Sequence, residues 1–487
     1  MNNSIIRYML GMLLKFESIF LLLPCLIAVI YGEREGLSYL LVAVVCAILG
    51  IVSTAKKPEN TTFYLKEGCV VTALCWIILS MFGAAPLVLT GEITSFVDAL
   101  FEIVSGFTTT GASILSDVEA LSYTSNMWRC FTHWIGGMGV LVFILAIMPL
   151  NTGSHINIMK AESPGPSVGK LVPKVRQTAR LLYVIYFVLT VVQVILLVVG
   201  DMTLYESLAT AFGTAGTGGF GIKNTSIGGF SAYTQWVVTI FMILFGVNFN
   251  AYYLLLLRQF KKAISIEEVK CYFVIVFAAI GIIFVQVFEV FGNVADALRH
   301  SAFQVAAIIT TTGFSTTDFN VWSQTAKTVL VMLMFIGACA GSTGGGMKVS
   351  RFMIAFKTIV KELNSYIHPR SVKKIKMDGK PIEHEVVRSV NVYFLTYMII
   401  FSISVLLISF EGKSLVTNFT AIAATINNIG PGLDAVGPTQ NFSIFSPFSK
   451  LVMIFDMLAG RLELFPLLVL FHPAAWKEIV NRRKKQV

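Results

Sequence analysis

Windows of roughly 20 apolar residues, the length needed to cross a bilayer core as helix, recur along this chain. They lie near 17–31, 38–54, 68–90, 127–150, 181–200, 234–257, 271–291, 327–357, 390–410 and 447–471, which predicts ten spans with the first the shortest. Between the third and fourth, fifth and sixth, seventh and eighth, and ninth and tenth lie weaker apolar stretches that run into a glycine. Each offers only about ten to fifteen residues of helix, too short to cross a core of about 30 Å and suited to a re-entrant half-helix. The predicted unit is helix, pore helix, filter loop, helix. An all-α polytopic membrane protein follows, with four parallel copies of this unit around one pore and two extra N-terminal transmembrane helices. The predicted boundaries are 1–60 for the two-helix extension, then 61–160, 161–265, 266–370 and 371–487 for the repeats. The third repeat carries a Gly-rich intramembrane loop and the fourth a basic C-terminal tail.

The four turns share one phrase. Phe101–Gly111 reads FEIVSGFTTTG and Phe303–Gly313 reads FQVAAIITTTG, while Ala209–Gly219 (ATAFGTAGTGG) and Thr420–Gly430 (TAIAATINNIG) are degenerate copies. The terminal glycines are 108, 94 and 117 residues apart. Four such loops on one chain can close a ring of backbone carbonyls, which replaces the water shell of a cation without an anion strong enough to trap it. Glycine tolerates the backbone angles that turn carbonyls toward an axis. A threonine before it adds stiffness and a hydroxyl facing away from or below the ion. The candidate ring residues are Thr109, Thr110 and Gly111; Thr217, Gly218 and Gly219; Thr311, Thr312 and Gly313; and Asn428, Ile429 and Gly430. Each half-helix would aim its C-terminal end, about half a negative charge, at the cavity. A single Thr-Thr-Gly is an ordinary turn; four copies in register are what point to a cation pore.

Composition sets the solvent. Hydrophobic residues make up 55% of the chain and charged residues 13%, and mean hydropathy is +0.76, so most of the surface meets lipid. No small-residue cleavage site follows the first run, which reads as a retained transmembrane helix. The net charge of +10 is a matter of topology and not of nucleic acid. Segments 151–180, 258–270, 348–388 and 472–487 carry 5, 4, 10 and 5 Lys/Arg, whereas the glycine-bearing segments 91–127, 201–233, 292–325 and 411–449 carry 0, 1, 1 and 1. By the positive-inside rule the basic segments and both termini are cytoplasmic and the filter side faces out. Seven scattered cysteines without a Cys-x-x-Cys pair argue against a disulfide or zinc framework. The six histidines show no i,i+4 pair on a spanning run, against a haem or zinc enzyme. The expectation is a non-enzyme without a bound cofactor.

Two further features fall at membrane depth. The stretch Gly341, Ser342, Thr343, Gly344, Gly345, Gly346 resembles a phosphate loop but has Met347 where that motif needs lysine. Inside a span, such loose backbone fits either a gate beneath the filter or a kink that allows close packing. Arg461 lies 14 residues into the last run, where a charge costs about 2.5–3.5 kcal/mol and faces a cavity or a partner. Asp456 and Glu463 are poorly spaced to pair with it on one helix face. Arg461 therefore either projects into the pore or pairs with another helix.

The motifs Gly106–Ala112, Thr217–Phe220, Thr310–Ser315, Asn427–Gly432, Gly337–Lys348 and Gly460–Glu463 resemble those of the Trk/Ktr/HKT potassium transporters, over nearly the whole chain. The resemblance implies potassium uptake across the bacterial cytoplasmic membrane through a gated, filter-lined pore, with potassium at the filter residues. A family rule ties glycine in all four loops to potassium preference. The second loop, with Gly216, Gly218 and Gly219, is unusually glycine-rich. The resemblance further implies an intramembrane gate at 341–346, a pore-facing Arg461, and a homodimer docked on a cytoplasmic, TrkA-like ring of nucleotide-binding subunits. The basic segment 358–388 and the tail Lys477–Lys485 are candidate docking surfaces or simple topology signals. Two other mechanisms compete with a passive pore. A sodium- or proton-coupled potassium symporter would share its filter, and an alternating-access carrier for a small organic solute would use inverted repeats and broken helices.

Overall fold

A computed structural model describes residues 2–58, 64–139, 175–370, 374–473 and 476. The end of the fourth apolar window (140–150), most of the basic segment 151–180 and the tail Lys477–Lys485 lie outside the described residues. The extension comprises α1 (Asn3–Phe20), α2 (Leu22–Tyr31) and α3 (Gly36–Thr54). Together α1 and α2 form a 29-residue candidate span, so the first window begins well before residue 17. Helix α1 packs on α3, with Gly11 against Gly50 and Ser53, a contact where any side chain would collide.

The same order of elements then recurs four times. First come α4 (Leu65–Leu89), α5 (Phe96–Phe107) and α6 (Tyr123–Gly137), followed by α7 (Val175–Val199), α8 (Leu204–Ala215), α9 (Ala232–Gly246) and α10 (Phe249–Leu256). A short α11 (Phe260–Ser265) leads to α12 (Glu267–Phe291), α13 (Val294–Ile309), α14 (Gln324–Ile336) and α15 (Val349–Ile367). The last set is α16 (His384–Ser409), α17 (Leu415–Ile426), α18 (Pro447–Arg461) and α19 (Phe465–Phe471). A two-stranded hairpin, Lys376–Met377 with Lys380–Pro381, interrupts the polar segment before α16.

Local chemistry explains the boundaries. The short helices α5, α8, α13 and α17 start at Ser95, Thr203, Asn293 and Ser414, and the helices after the loops start at Ser122, Ser231, Ser323 and Ser446. Each of these side chains accepts a hydrogen bond from a free first-turn N–H, a contribution of about 1 kcal/mol per cap. The outer faces stay apolar and exposed, with Val29 80% and Phe410 81% accessible, as expected where lipid is the solvent.

Three of the predicted spans are broken. Helices α9 and α10 meet at 91°. The run 327–357 parts into α14 and α15 around residues 337–348, and the run 447–471 ends its helix at Arg461 and resumes at Phe465. Among the described residues six helices are long and apolar enough to cross a membrane, or seven if the bent pair counts as one span. Each post-loop helix packs on the short helix of the next set. Thus α6 meets α8, α9 meets α13, α14 meets α17, and α18 returns to α5. The order is cyclic.

Candidate functional site

The short helices end alike. Thr109, Thr217, Thr311 and Asn428 have φ of 58°, 55°, 59° and 56°, and two residues later Gly111, Gly219, Gly313 and Gly430 have φ of 80°, 80°, 77° and 103°. In each loop the left-handed residue donates its N–H three residues back, and the next residue donates five back. The second of these bonds runs from Thr110 to Ser105 (2.8 Å), Gly218 to Gly213 (2.8 Å), Thr312 to Ala307 (2.8 Å) and Ile429 to Ala424 (2.9 Å). This is a Schellman ending, usually built on glycine. A β-branched threonine in that conformation is strained, by about 1–2 kcal/mol. Strain repeated at equivalent positions marks a place worth functional attention.

The four loops meet. A Cβ on Gly111 would collide with the carbonyl oxygen of Gly218, one on Gly219 with that of Thr312, and one on Gly313 with that of Ile429. On Gly430 it would stand 3.0 Å from the Thr110 carbonyl oxygen. Each glycine therefore leaves room for a carbonyl of the next loop, and the fourth closes on the first. All twelve residues named from the sequence lie in these loops, and the four glycines line one cavity of about 190 Å³. The hydroxyls of Thr110 and Thr312 bond those of Thr108 and Thr310, each at 2.8 Å.

Three side chains that sequence reasoning missed hold the loops. His133 sits between Gly106 O (2.7 Å to Nδ1) and the N–H of Phe220 (3.1 Å to Nε2). An Nδ1–H tautomer satisfies both and fastens the first loop to the second. Arg129 and Glu102, both buried, pair at 2.6 Å. Glu102 also accepts from Ser113 (3.0 Å) and the Ile114 N–H (3.0 Å), which anchors the chain leaving the first glycine.

Directly against this ring lies the Gly-rich loop. Gly345 donates its N–H to Thr311 Oγ1 (2.6 Å), and Gly346 donates to Asn427 O (3.0 Å). Residues Ser342–Gly345 are buried, and Gly341 is exposed. The break between α9 and α10 frees backbone groups that the loop takes up. Cys339 N–H bonds Gly246 O at 3.1 Å, and Phe249 N–H bonds Gly341 O at 3.0 Å. Here two interruptions of apolar runs satisfy one another's backbone groups, as a lipid-surrounded protein requires.

Arg461 is the last residue of α18 and not a mid-helix charge. A cation suits the negative end of a helix. Its guanidinium donates to Gly137 O (2.8 Å), Gly136 O, Thr343 O (3.2 Å) and Thr109 Oγ1 (3.4 Å). It thus touches the loop, one left-handed threonine and the end of α6 together. Glu463, within the break, pairs with Arg351, whose guanidinium stacks 3.9 Å over Tyr393.

A largely helical, multi-span membrane protein in which four short helices bring strained loops into one closed ring has the architecture of a membrane transport protein. The chain belongs to the TrkH family, described as cation transport proteins, whose sequence profile matches residues 38–478. It is 32% identical over 485 residues to the Trk system potassium uptake proteins TrkH of Salmonella typhimurium and Escherichia coli, covering 98% of this chain and all of theirs. The crystal structure of the potassium transporter TrkH from Vibrio parahaemolyticus superposes with a TM-score of 0.88, at 29% identity, covering 98% of this chain and all of that one.

Proposed function

We propose that this protein is the potassium-translocating subunit of a Trk system and takes up potassium across the bacterial cytoplasmic membrane through a gated pore. The observation that carries the reading is the cyclic fit of the four glycines to the carbonyls of neighbouring loops, on a chain whose full-length relatives are potassium uptake proteins. Potassium is held by backbone carbonyls of residues 109–111, 217–219, 311–313 and 428–430. The loop 341–346 and Arg461 close the passage beneath. The repeats run parallel, with the boundaries drawn above, the basic segments and both termini cytoplasmic. Two copies dock on a nucleotide-binding, TrkA-like ring through basic surfaces such as 358–388.

The test is uptake of potassium and rubidium into liposomes holding the purified chain, with sodium, caesium and small organic solutes as competitors. Uptake inhibited by alkali cations in a potassium-preferring order is expected. Uptake blocked by an organic solute, or no preference for potassium over sodium, would overturn the reading. A dependence of potassium uptake on a sodium or proton gradient would replace the passive pore with a symporter.

A further inference from the structure

We infer that Glu268, on the first turn of α12, is a positioning residue that ties the neck of the Gly-rich loop and so sets how firmly the pore is held shut; the inference rests on the gate reading above. Glu268 is 3% exposed and belongs to no motif that the sequence marks. One of its oxygens, Oε1, accepts the N–H of Ala340 at 2.6 Å and the N–H of Ser350 at 3.2 Å. Ala340 precedes the loop and Ser350 follows it, ten residues later. A single oxygen thus joins both ends of the excursion.

The other oxygen, Oε2, accepts Asn248 Nδ2 at 3.1 Å. Asn248 stands at the 91° bend and caps α10, whose first N–H holds Gly341 O at 3.0 Å. Helix α15 has no side-chain cap of its own, because its N-cap position is Lys348 at φ 76°. Glu268 supplies that cap from another helix, placing a carboxylate at a positive helix end.

The neck and the tip have different partners. The tip meets the ring loops through Gly345 and Gly346, while Thr343 O accepts from Arg461 and the Thr343 hydroxyl donates to Phe245 O at 3.3 Å. The neck is held by Glu268, by the Val349 N–H on Ala338 O (3.1 Å) and by the backbone around the α9–α10 bend. A loop fixed at its neck swings its tip as a lever. Without Glu268 the neck keeps only its backbone bonds, the pivot loosens, and the tip's contacts must carry more of the closed state.

The helix end that bears Glu268 is itself held from the surface. Asp378, in the hairpin turn, accepts the Glu267 N–H at 2.8 Å, and Lys357 of α15 joins Glu267 to Lys376 O (2.8 Å). The buried tie is therefore connected to an exposed, basic part of the chain.

The experiment compares rubidium efflux from liposomes for the full chain, for a variant lacking three residues of 341–346, and for Glu268→Ala, Glu268→Asp and Glu268→Gln, each with a melting curve. Glu268→Ala leaves two N–H groups without their acceptor, and resting flux should rise about ten-fold or more, with the potassium-over-sodium ratio unchanged. Glu268→Gln keeps an oxygen for the two N–H groups but sets its amide nitrogen against Asn248 Nδ2, so its flux should rise less than that of alanine. Glu268→Asp, which withdraws the carboxylate by one methylene, should fall between them and decides the matter if the alanine variant does not assemble. Unchanged or lower flux in folded Glu268→Ala or Glu268→Asp overturns the inference, as does a glutamine variant as leaky as alanine. If neither the full chain nor its loop-shortened form passes rubidium, the pore reading fails and this inference with it.

Discussion

Replacing Arg461 with alanine removes two things at once, a charge beneath the ring and a tether on the loop. The tether comprises hydrogen bonds to Thr343 O at 3.2 Å and Gly137 O at 2.8 Å, with Gly136 O and Thr109 Oγ1 beside them. If the ring is the proposed filter, the charge acts on any cation leaving it. At about 5 Å and an effective dielectric near 20, two unit charges repel by roughly 3 kcal/mol. Arg461 is partly exposed, and water in the passage lowers that figure. We expect about 1.4 kcal/mol of barrier to disappear, or roughly ten-fold in flux. The assay is rubidium flux per assembled protein in liposomes, paired with a melting curve in detergent. Arg461→Lys divides the two contributions, because an ammonium keeps the charge but cannot span carbonyls on α6 and the loop together. Flux near wild type in the lysine variant assigns the barrier to charge, and flux near the alanine level assigns it to the tether. Alanine flux at or below wild type with an unshifted melt would refute both. A collapsed melt would make Arg461 a structural residue.

The other predictions address the ring, the loop and the ion pair behind them. Gly111→Ser or Gly313→Ser drives a Cβ into the Gly218 or Ile429 carbonyl, so the potassium-over-sodium flux ratio should fall; wild-type ratios in both variants would mean these loops are not the filter. Deleting three or four residues of 341–346 should raise resting flux by withdrawing the loop from Thr311 and Asn427, and an unchanged flux in a folded deletion counts against a gate. Arg129→Met strands the buried Glu102 carboxylate and should cost about 3–5 kcal/mol, read as a lower melting temperature. A melt equal to wild type would show that this pair does not hold the first loop.

The loops were legible because their determinants are local. Thr-Thr-Thr-Gly written twice exposes the period, and the two degenerate copies fall into register with it. What makes them equivalent is a left-handed residue two places before a glycine, a backbone property that Asn428 and Thr217 satisfy with different neighbours. The broken helices were harder to see. Hydropathy averages across Val247, Ala338, Cys339, Met347 and Leu464 as though they were helix, because these residues are apolar and buried. The glycines of 337–346 betray one interruption and Pro466 is the sign of another, while around Asn248 only a capping asparagine marks the bend. Arg461 read as a mid-helix charge for the same reason. Glu268 and His133 were invisible as functional residues. Their partners lie 72 and 87 positions away, and in sequence one is a charge at the end of a span and the other a lone histidine.

The reciprocal fit of the four glycines has a consequence for how this chain can vary. In a pore made from four identical subunits, one mutation alters every position of the ring together and symmetry is kept. Here the ring is a single covalent thread, and each loop shapes the space that receives its neighbour's carbonyl. Side chains around the loops are free to diverge, as the TTTG, GTGG and NNIG endings show. The glycine is far less free, because a Cβ at three of the four would strike a neighbouring loop's carbonyl and at the fourth would crowd one. The copies can drift apart in chemistry but remain bound to one another in backbone shape.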